Sequence, residues 1–509
     1  MLLRILMAVA CGVGLSLAFE PVAVPFVIPF AVAGFVIATR GLRLRAALLV
    51  GWAFGIGFQF VLLYWMRSVG YDGWLGLSLW QSLFYAVLGA ASCAVQRHRL
   101  WPMWVAALWV TTELWYSAWP FSGMPWGRLA FAVVDTPLAD ALPWVGTVGA
   151  SFVLALSGAL LAWTVVAARR REKLVAWGCL AALAAIALGV PAVVPRTPHP
   201  DGQATVAVIQ GDVPGNGDNI LYDFRQVTQN QVDLTTRLAA DVAAGREPKP
   251  DFVLWPENST AVDPFRDQQT NAGILAASEA IGVPILVGAI VDAGPQHVLN
   301  QGIVWDPVTG AGDRYTKHHP VVFGEYIPFR SYLDNLQIGR LTMVGRDMLS
   351  GTRLEPLRIA GIEIADSICF DVAYDDAIYG QVDRGADLLT VQTSNATFIH
   401  TDQIDQQFAI TRLRAIETGR WLTVSSTNGV SGVIAPDGHV VAQAEPRTQA
   451  TLVETVGLDT AITPAVRIGP WSGRLCVLLA GLGLVLAVVP YRRNLARRQV
   501  DEATLSPTH

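Results

Sequence analysis

Long apolar runs fill the first 195 residues of the chain, and one more returns near its end. Eight of these runs come close to the roughly 20 mainly apolar residues that a helix needs to cross a bilayer. They predict eight transmembrane helices, at about 4–19, 22–39, 47–66, 75–95, 101–119, 147–168, 174–194 and 475–490. The first run follows Arg4 in the manner of a secretory signal. Because no small-residue cleavage site follows and the next run begins almost at once, it is interpreted as a helix.

Between these runs, short β-branched stretches alternate with amphipathic ones, which is typical of an α/β domain. Strands are predicted at 206–209, 252–254, 285–287, 303–305, 388–391, 422–425 and 432–434, and helices at 222–244 and 403–418. The chain therefore divides into a seven-helix membrane domain at 1–196, an α/β domain at 200–465, a last membrane helix at 471–491 and a basic tail at 492–509.

Lysine and arginine in the short loops predict the orientation of the helices. Basic residues precede the first helix and follow helices two, four, six and eight, whereas the other loops carry few. The positive-inside rule then places both termini in the cytoplasm and residues 200–465 on the outer face of the membrane. The net charge of −5, without a sustained basic run in the α/β domain, gives no indication of nucleic-acid binding.

Cys369 is the only one of the five cysteines that lies outside an apolar run. The simplest interpretation of such a thiol is a buried packing residue. On the oxidising side of a membrane, however, cysteines usually pair, and residues 200–465 hold no second one. The missing partner indicates a thiol kept free for chemistry.

Glu257 comes after the predicted strand 252–254, Lys317 comes after a further predicted strand end at 312–316, and Cys369 comes after one at 362–365. Strand ends are where α/β folds place functional residues. Taken singly, each of the three has a structural explanation: a loop carboxylate, a solvated charge and a core thiol. Together they make a complete set for acyl transfer. A carboxylate can take the proton of the thiol, and a lysine can stabilise the oxyanion of the tetrahedral intermediate.

The segments around these residues resemble the nitrilase, or carbon–nitrogen hydrolase, superfamily, whose Glu–Lys–Cys triad sits on an αββα sandwich. The matching segments are Leu-Trp-Pro-Glu at 254–257, Tyr-Thr-Lys-His-His at 315–319, Phe-Gly-Glu-Tyr-Ile-Pro at 323–328, and 414–420 and 426–432. The Lys-His-His and Phe-Gly-Glu-Tyr segments, with Phe-Ser-Gly-Met-Pro-Trp at 121–126, are similar to the membrane-embedded apolipoprotein N-acyltransferases of that superfamily. The resemblance covers nearly the whole chain.

The resemblance implies a role for each residue of the site: Glu257 as general base, Lys317 as oxyanion stabiliser, Cys369 as nucleophile and Glu325 as a second, supporting glutamate. It also implies a ping-pong reaction in the bacterial inner membrane. A phospholipid would give its acyl chain to the cysteine as a thioester, and the α-amine of a diacylglyceryl-modified apolipoprotein would take it. No metal or organic cofactor is expected, and a monomer is expected.

Five further residues are expected to contact the lipid substrates: Trp126, Tyr326, Phe370, Asp371 and Phe398. Asp371 stands two residues after the nucleophile, at a position where the family often has glutamate. Phe398 lies in a loop where the family often has tryptophan. Lipid contacts are therefore where the resemblance is least complete.

Three polar residues have open roles. Glu113 lies inside the fifth predicted helix, either as a functional intramembrane acid or as a residue bonded to a neighbouring helix or to the 121–126 loop. His318 and His319 are expected to pack or hydrogen-bond around Lys317 rather than bind a metal, because the sequence offers no ligand partner at a suitable spacing.

Two other functions fit parts of the pattern. One is a membrane-tethered nitrilase-type amidase acting on small soluble amides, which would need only a single anchor. The other is a catalytically inactive nitrilase domain that serves as a scaffold for a membrane partner. The number of predicted helices argues against the first, and the complete Glu–Lys–Cys set argues against the second.

Overall fold

The computed structural model describes residues 1–98, 100–193, 200–333 and 344–504 of the 509-residue chain. Within these ranges, a helix lies at each of the eight apolar segments. They are α1 (Leu2–Ser16), α2 (Ile28–Thr39), α3 (Leu44–Leu62), α4 (Tyr71–Val95), α5 (Trp101–Ala118), α6 (Leu142–Val166), α7 (Arg170–Val193) and the last helix, α13 (Pro464–Thr504). Residues 194–196, which the predicted membrane domain includes, lie outside the described part.

Five helical segments of the described chain are long and apolar enough to cross a membrane. These are Leu44–Leu62, Tyr71–Val95, Ala139–Val166, Arg170–Gly189 and Pro464–Val488. The apolar segments Leu2–Ser16 and Pro25–Thr39 are shorter. A membrane protein is therefore supported, whereas a full crossing by each of the eight helices stays a prediction. The last helix also runs on into the predicted basic tail, of which 505–509 lie outside the description.

Small residues let the membrane helices approach each other closely. A Cβ atom on Gly51 of α3 would lie 2.2 Å from the Tyr85 carbonyl oxygen and 3.0 Å from Cα of Gly89, both on α4. Glycine at such contacts brings two backbones together, which gains packing contacts that hydrophobicity alone does not supply inside a bilayer. Helices α3 and α4 are thereby held as a tight pair.

Residues 202–458 fold into two sheets with helices on both outer faces. The strands are β1 (Gly202–Gln210), β2 (Phe252–Leu254), β3 (Ile285–Asp292), β4 (His297–Asp306), β5 (Gly310–Thr316), β6 (Asp347–Met348), β7 (Leu357–Ile359), β8 (Ile362–Ile368), β9 (Leu388–Thr393), β10 (Leu422–Ser426), β11 (Gly432–Ile434), β12 (Val440–Gln443) and β13 (Ala450–Leu458). The first sheet has the order β13-β1-β2-β3-β4-β5, with β6 beside β4, and the second has the order β12-β11-β10-β9-β8-β7.

The helices of this domain are α8 (Phe224–Ala243), α9 (Gln268–Ile281), α10 (Arg330–Leu333), α11 (Asp375–Val382) and α12 (Gln403–Thr418). Each strand and helix predicted from the sequence coincides with one of the observed elements. The elements that were not predicted are helices α9, α10 and α11 and strands β6, β7, β12 and β13. Strand β13 matters, because it pairs along the whole of β1 and closes the first sheet.

Successive side chains of a strand point to opposite faces of its sheet, and this alternation separates the core between the two sheets from the cores under the helices. In β1, Val206 and Val208 face the second sheet and share a core with Ile364 and Leu388, whereas Ile209 faces the opposite way, toward α8 and α9. Helices α11 and α12 cover the outer face of the second sheet. The predicted αββα sandwich is confirmed.

The membrane helices pack against the α11–α12 layer. Apolar side chains of α11 and α12, such as Ile378 and Leu413, belong to the same buried cluster as the cores of α1 to α6. Helix α12 lies directly against α6. The end of β8, which carries Cys369, therefore faces the membrane bundle rather than the far side of the domain.

Candidate active site

Three strand ends bring Glu257, Lys317 and Cys369 together. Lys317 follows β5 directly, Cys369 follows β8 directly, and Glu257 comes three residues after β2. The lysine Nζ lies 3.3 Å from Oε1 of Glu257. Both charges also act on the thiol of Cys369, the carboxylate to raise its pKa and the ammonium to lower it. The structure thus places the three predicted residues at one point where the two sheets meet.

Lys317 is fully buried and held by two carboxylates. Its Nζ donates to Oε1 of Glu325 at 2.6 Å and, over a longer distance, to Glu257. Burial alone would lower the pKa of the lysine, but the two glutamates raise it well above the ordinary value. The ammonium therefore stays charged, which is the state that an oxyanion needs.

Glu325 supports the lysine from the loop that follows it. Its Oε2 accepts a hydrogen bond from the Val321 backbone N–H at 2.7 Å, which leaves Oε1 for Lys317. Burial raises the pKa of Glu325, and the nearby charge of Glu257 adds to the effect while Lys317 opposes it. The predicted supporting glutamate thus lies in contact with the lysine.

Glu257 is fixed by groups from both sheets. Its Oε1 accepts from Asn300 Nδ2 at 2.7 Å, and its Oε2 accepts from the backbone N–H of Ser394 at 2.8 Å. Only 2% of the residue is exposed. A carboxylate in such a dry, bonded position has one orientation, and its remaining lone pairs can receive a proton.

Cys369 begins a short 3-10 turn, Cys369–Ala373, and has a left-handed backbone with φ of 54°. Such a conformation is rare for a side chain of this kind and is typical of functional turns. Burial raises the pKa of the thiol to about 12, with the charge of Glu257 acting in the same direction and Lys317 against it. The resting state is a thiol, which needs a base to become a nucleophile.

Asp371 is buried and its carboxylate is occupied by three hydrogen bonds. It accepts from the Tyr315 hydroxyl at 2.9 Å and from the backbone N–H groups of His318 and His319 at 3.1 and 2.7 Å. These contacts join the turn after Cys369 to the segment after Lys317. They give Asp371 a positioning role, while direct contact with substrate stays a prediction.

The four aromatic residues predicted to contact lipid do not all lie together. Phe370 stacks on Trp126 of the membrane domain with ring centroids 5.9 Å apart, and Phe398 meets Trp65 edge-on at 5.2 Å. Because Trp65 and Trp126 also touch, at 5.6 Å, the rings form one row. Tyr326 lies apart from it, and its hydroxyl donates to the Phe121 carbonyl at 2.9 Å.

Several residues of the site were not predicted. Asn300 orients Glu257, and Thr393 acts to lower the pKa of the Cys369 thiol. Trp65 belongs to the aromatic row, and Gln406 accepts hydrogen bonds from the indoles of Trp65 and Trp126. Asn300 offered a signal, since Asn300 and Gln301 are two adjacent polar residues between apolar residues of β4. The others contact the site only through tertiary packing.

The open roles of Glu113 and the two histidines have structural answers. Oε1 of Glu113 accepts from the Trp109 indole at 3.1 Å and from the Leu129 N–H at 2.9 Å, so it ties α5 to the segment beyond the 121–126 loop. His319 stacks on Tyr374 at 3.7 Å, and its Nε2 lies 3.0 Å from Oδ1 of Asp376.

His318, His319 and Asp376 form a group of side chains close enough to hold a metal ion. A histidine that binds a metal usually donates its other ring nitrogen to a carboxylate or carbonyl. Nδ1 of His318 is buried with no hydrogen-bond partner among the residues described. This donor set does not fit a metal centre, and we assign the histidines to stacking and hydrogen bonding.

The comparisons with known proteins agree with this geometry. Residues 205–463 match the carbon–nitrogen hydrolase model, and residues 11–160 match the model of the apolipoprotein N-acyltransferase N-terminal domain. Fold and site therefore define a carbon–nitrogen hydrolase domain joined to a membrane domain.

Full-length relatives narrow the class. An apolipoprotein N-acyltransferase of Mycolicibacterium smegmatis is 34% identical over 97% of this chain and 86% of its own length. Similar proteins of the same name come from Azotobacter vinelandii, 30% identical over 94% of each chain, and Ralstonia nicotianae, 29% identical over 96% of this chain and 93% of its own. The chain belongs to the apolipoprotein N-acyltransferase family.

Proposed function

We propose that the protein is a phospholipid:apolipoprotein N-acyltransferase that works through a thioester on Cys369. The observation that carries this proposal is the contact between the membrane domain and the residue that follows Cys369. Glu257, Lys317 and Cys369 lie together, and the next residue, Phe370, stacks on Trp126 of the membrane domain. A soluble amidase has no need of such a contact.

The first half-reaction loads the enzyme. Glu257 takes the thiol proton of Cys369, and the thiolate attacks the ester carbonyl of a phospholipid. Lys317 stabilises the resulting oxyanion, with Glu325 holding the ammonium in place. The intermediate collapses, the carbon–oxygen ester bond breaks, and protonated Glu257 returns its proton to the leaving alkoxide. A lysophospholipid departs and the acyl chain remains on sulfur.

In the second half-reaction, the acyl chain is transferred from Cys369 to the apolipoprotein. The α-amine of the N-terminal diacylglyceryl-cysteine of an apolipoprotein attacks the thioester carbonyl, again with Lys317 opposite the oxyanion. Glu257 accepts the proton lost by the amine and passes it to the departing Cys369 thiolate. The products are an amide bond on the lipoprotein and the free thiol, so atoms and charges balance without a cofactor.

A site against the membrane bundle suits two lipid substrates. Drawing an acyl chain out of a bilayer costs about 0.8 kcal/mol for each CH₂. Lateral entry avoids that cost, because both chains can stay in apolar surroundings. The same apolar walls keep water from the thioester, which would otherwise be hydrolysed.

The proposal includes a topology. The seven helices of 1–196 and the last at 471–491 span the bacterial inner membrane, both termini and the 492–509 tail are cytoplasmic, and the 200–465 domain faces outward. The positive loops support this arrangement. The protein acts as a monomer, since each chain carries the whole catalytic set.

The test is direct detection of the loaded enzyme. Purified protein is incubated with a phospholipid that carries a labelled acyl chain, and the peptides are analysed by mass spectrometry. We expect a hydroxylamine-labile acyl group on Cys369. Cys369→Ser should lose it, and Cys179→Ser, which alters an exposed cysteine of α7, should keep it.

The outcomes separate the possible functions. Transfer of the label to a diacylglyceryl-cysteine peptide supports acyl transfer, whereas release to water alone would make the protein a phospholipase. An adduct with a small amide but with no phospholipid would favour an amidase. No adduct with either would leave the scaffold function.

A further inference from the structure

Gln406 of α12 bonds three segments of the membrane domain with one amide. Its Oε1 accepts from the indole N–H of Trp65 at 3.1 Å and of Trp126 at 2.7 Å, and its Nε2 donates to the Glu20 carbonyl at 2.9 Å. The residue is 7% exposed. An indole N–H can only donate, so a carbonyl oxygen between two of them satisfies both at once.

Trp126 separates two regions of the molecule. One side of its ring stacks on Phe370, next to the nucleophile. Trp126 and Gln406 also line a narrow gap with Phe19, Phe131 and Glu20. A cavity of about 100 Å³ adjoins that gap; its lining is mostly apolar, with Phe19 and Phe131, and includes the acidic residues Glu20 and Asp135.

We propose that Gln406 is a positioning residue that sets the acyl-chain length accepted at Cys369. It holds Trp126 as a barrier between the ring of Phe370 and the gap that leads to the cavity, and the end of a bound chain meets that barrier. This inference rests on the proposed function, because it assumes an acyl chain on sulfur. It adds a specificity determinant outside the catalytic residues.

The physical basis is the free-energy cost of burying an indole N–H without a hydrogen-bond acceptor. Without the Gln406 amide, the N–H groups of Trp65 and Trp126 are left buried without an acceptor, a state that drives a side chain to move. Gln406→Ala also removes volume beside the gap. The ring of Trp126 can then turn away, which joins the cavity to the space beside Phe370 and makes room for longer chains.

The experiment compares acyl donors of different chain length. The rate of thioester formation on Cys369, as kcat/KM, is measured with dodecanoyl, hexadecanoyl and octadecanoyl phospholipids of one head group. For Gln406→Ala we expect the ratio of long-chain to short-chain kcat/KM to rise about tenfold, the scale of one or two lost hydrogen bonds. Trp126→Phe, which removes the bonded N–H, should shift the ratio in the same direction.

Two variants serve as matched controls. Gln406→Glu keeps the acceptor for both indoles and loses the donor to the Glu20 carbonyl; because Trp126 keeps its hydrogen bond, the profile should stay close to that of the unaltered protein. Asp405→Asn changes an exposed residue on the same helix and should leave the profile unchanged. Alkylation of Cys369 by iodoacetamide reports, independently of any lipid, whether each variant keeps an intact site.

The outcomes distinguish the inference from its premise. If the unaltered protein forms no acyl adduct, the proposed function fails first. If it does, and both Gln406→Ala and Trp126→Phe keep the same chain-length profile, the inference is overturned. An equal loss of rate for every chain length also overturns it, since that is the effect of a merely structural residue. Should Gln406→Ala not fold, Trp126→Phe decides.

Discussion

Cys369 combines a left-handed backbone with a thiol that resists ionisation. A non-glycine residue in this conformation costs about 1–3 kcal/mol, which the surrounding structure must supply. Here β8 leads into the residue and Asp371 anchors the turn after it. The conformation points to a nucleophile that is held for attack, and the raised pKa of the thiol explains why a base must stand beside it.

The pKa of Cys369 predicts how the thiol reacts with iodoacetamide. Because burial raises this pKa to about 12, the reactive thiolate is scarce at lower pH. Alkylation should therefore become about tenfold faster for each unit by which the pH is increased, as long as the pH stays below that value. Glu257→Gln removes a charge that raises the pKa, so alkylation at a given pH should be faster. The same variant should form the acyl thioester about 10²-fold to 10⁴-fold more slowly, because the base is lost.

Lys317→Met is a control for which the opposite change in alkylation rate is expected, since it removes the charge that lowers the pKa of the thiol. Its alkylation should be slower than that of the unaltered protein at every pH. Mass spectrometry of the Cys369 peptide measures both variants. Slower alkylation in Glu257→Gln would show that the glutamate does not disfavour the thiolate.

Asp366 predicts a pH dependence of stability. It lies buried in β8, where Oδ1 accepts from the Thr390 hydroxyl at 2.8 Å, and burial raises its pKa from 3.8 to about 7. Because the folded pKa lies above the unfolded one, its contribution to stability is full below about pH 4 and is lost as the pH rises through about 7. Asp366→Asn cannot ionise and should not show this loss.

The measurement is the thermal midpoint in detergent between about pH 5 and about pH 8. The midpoint of the unaltered protein should fall relative to that of Asp366→Asn across this window and then level off. Asp313→Asn serves as a control, because the pKa of Asp313 is lowered rather than raised. Parallel curves for the unaltered protein and Asp366→Asn would contradict the assignment.

At the scale of elements, β3 sets the position of Glu257. Gly288 lies in this strand, and a Cβ there would stand 2.2 Å from the Pro256 carbonyl oxygen and 2.8 Å from Cα of Glu257. Gly288→Ala should therefore displace the general base and slow thioester formation by at least about tenfold, since a shift near 1 Å can cost about 10²-fold. The rate of thioester formation measures the effect.

Gly312→Ala in β5 is the matched control from the same sheet. A Cβ at Gly312 meets its nearest atom, the Val304 carbonyl oxygen, only at 3.6 Å, which is ordinary contact. This variant should keep nearly the full rate. If both alanine variants retained activity, close backbone packing under Glu257 would not be what positions it.

Local signals explain which elements could be predicted. Helix α12 has the predicted bounds, because its amphipathic stretch ends at Gly419, which has φ of 67° and closes the helix. The ends of β2, β5 and β8 were predictable because a polar residue lies within three positions of each strand end. The pairing of β13 with β1 joins distant segments, and the contacts of Asn300 and Gln406 exist only after folding. The local sequence around these residues does not indicate this pairing or these contacts.

At the scale of the whole molecule, buried ions link the membrane domain to the turn of the nucleophile. Arg128, which follows α5, pairs with Asp375 at 2.8 Å, and Asp375 pairs with Arg414 of α12 at 2.9 Å. The Arg414 guanidinium donates to the carbonyls of Val372 and Ala373, in the turn that Cys369 begins. These contacts connect the segment after α5 to the turn that Cys369 begins.

This linkage predicts different results for two ion pairs that both join the domains. Arg128→Met leaves Asp375, whose side chain is 23% exposed, with Arg414 as its remaining guanidinium partner, so we expect a loss at the lower end of the about 3–5 kcal/mol that breaking a buried pair costs. Arg412→Met breaks the pair with Asp135, whose side chain is 60% exposed, and such pairs contribute about 1 kcal/mol or less. Unfolding in detergent and thioester formation on Cys369 are measured for both. We expect Arg128→Met to lose stability and rate together, while Arg412→Met stays near the unaltered protein. Of these two ion pairs, the one between Arg128 and Asp375 connects to the turn that Cys369 begins. Equal effects of the two variants would therefore contradict this linkage.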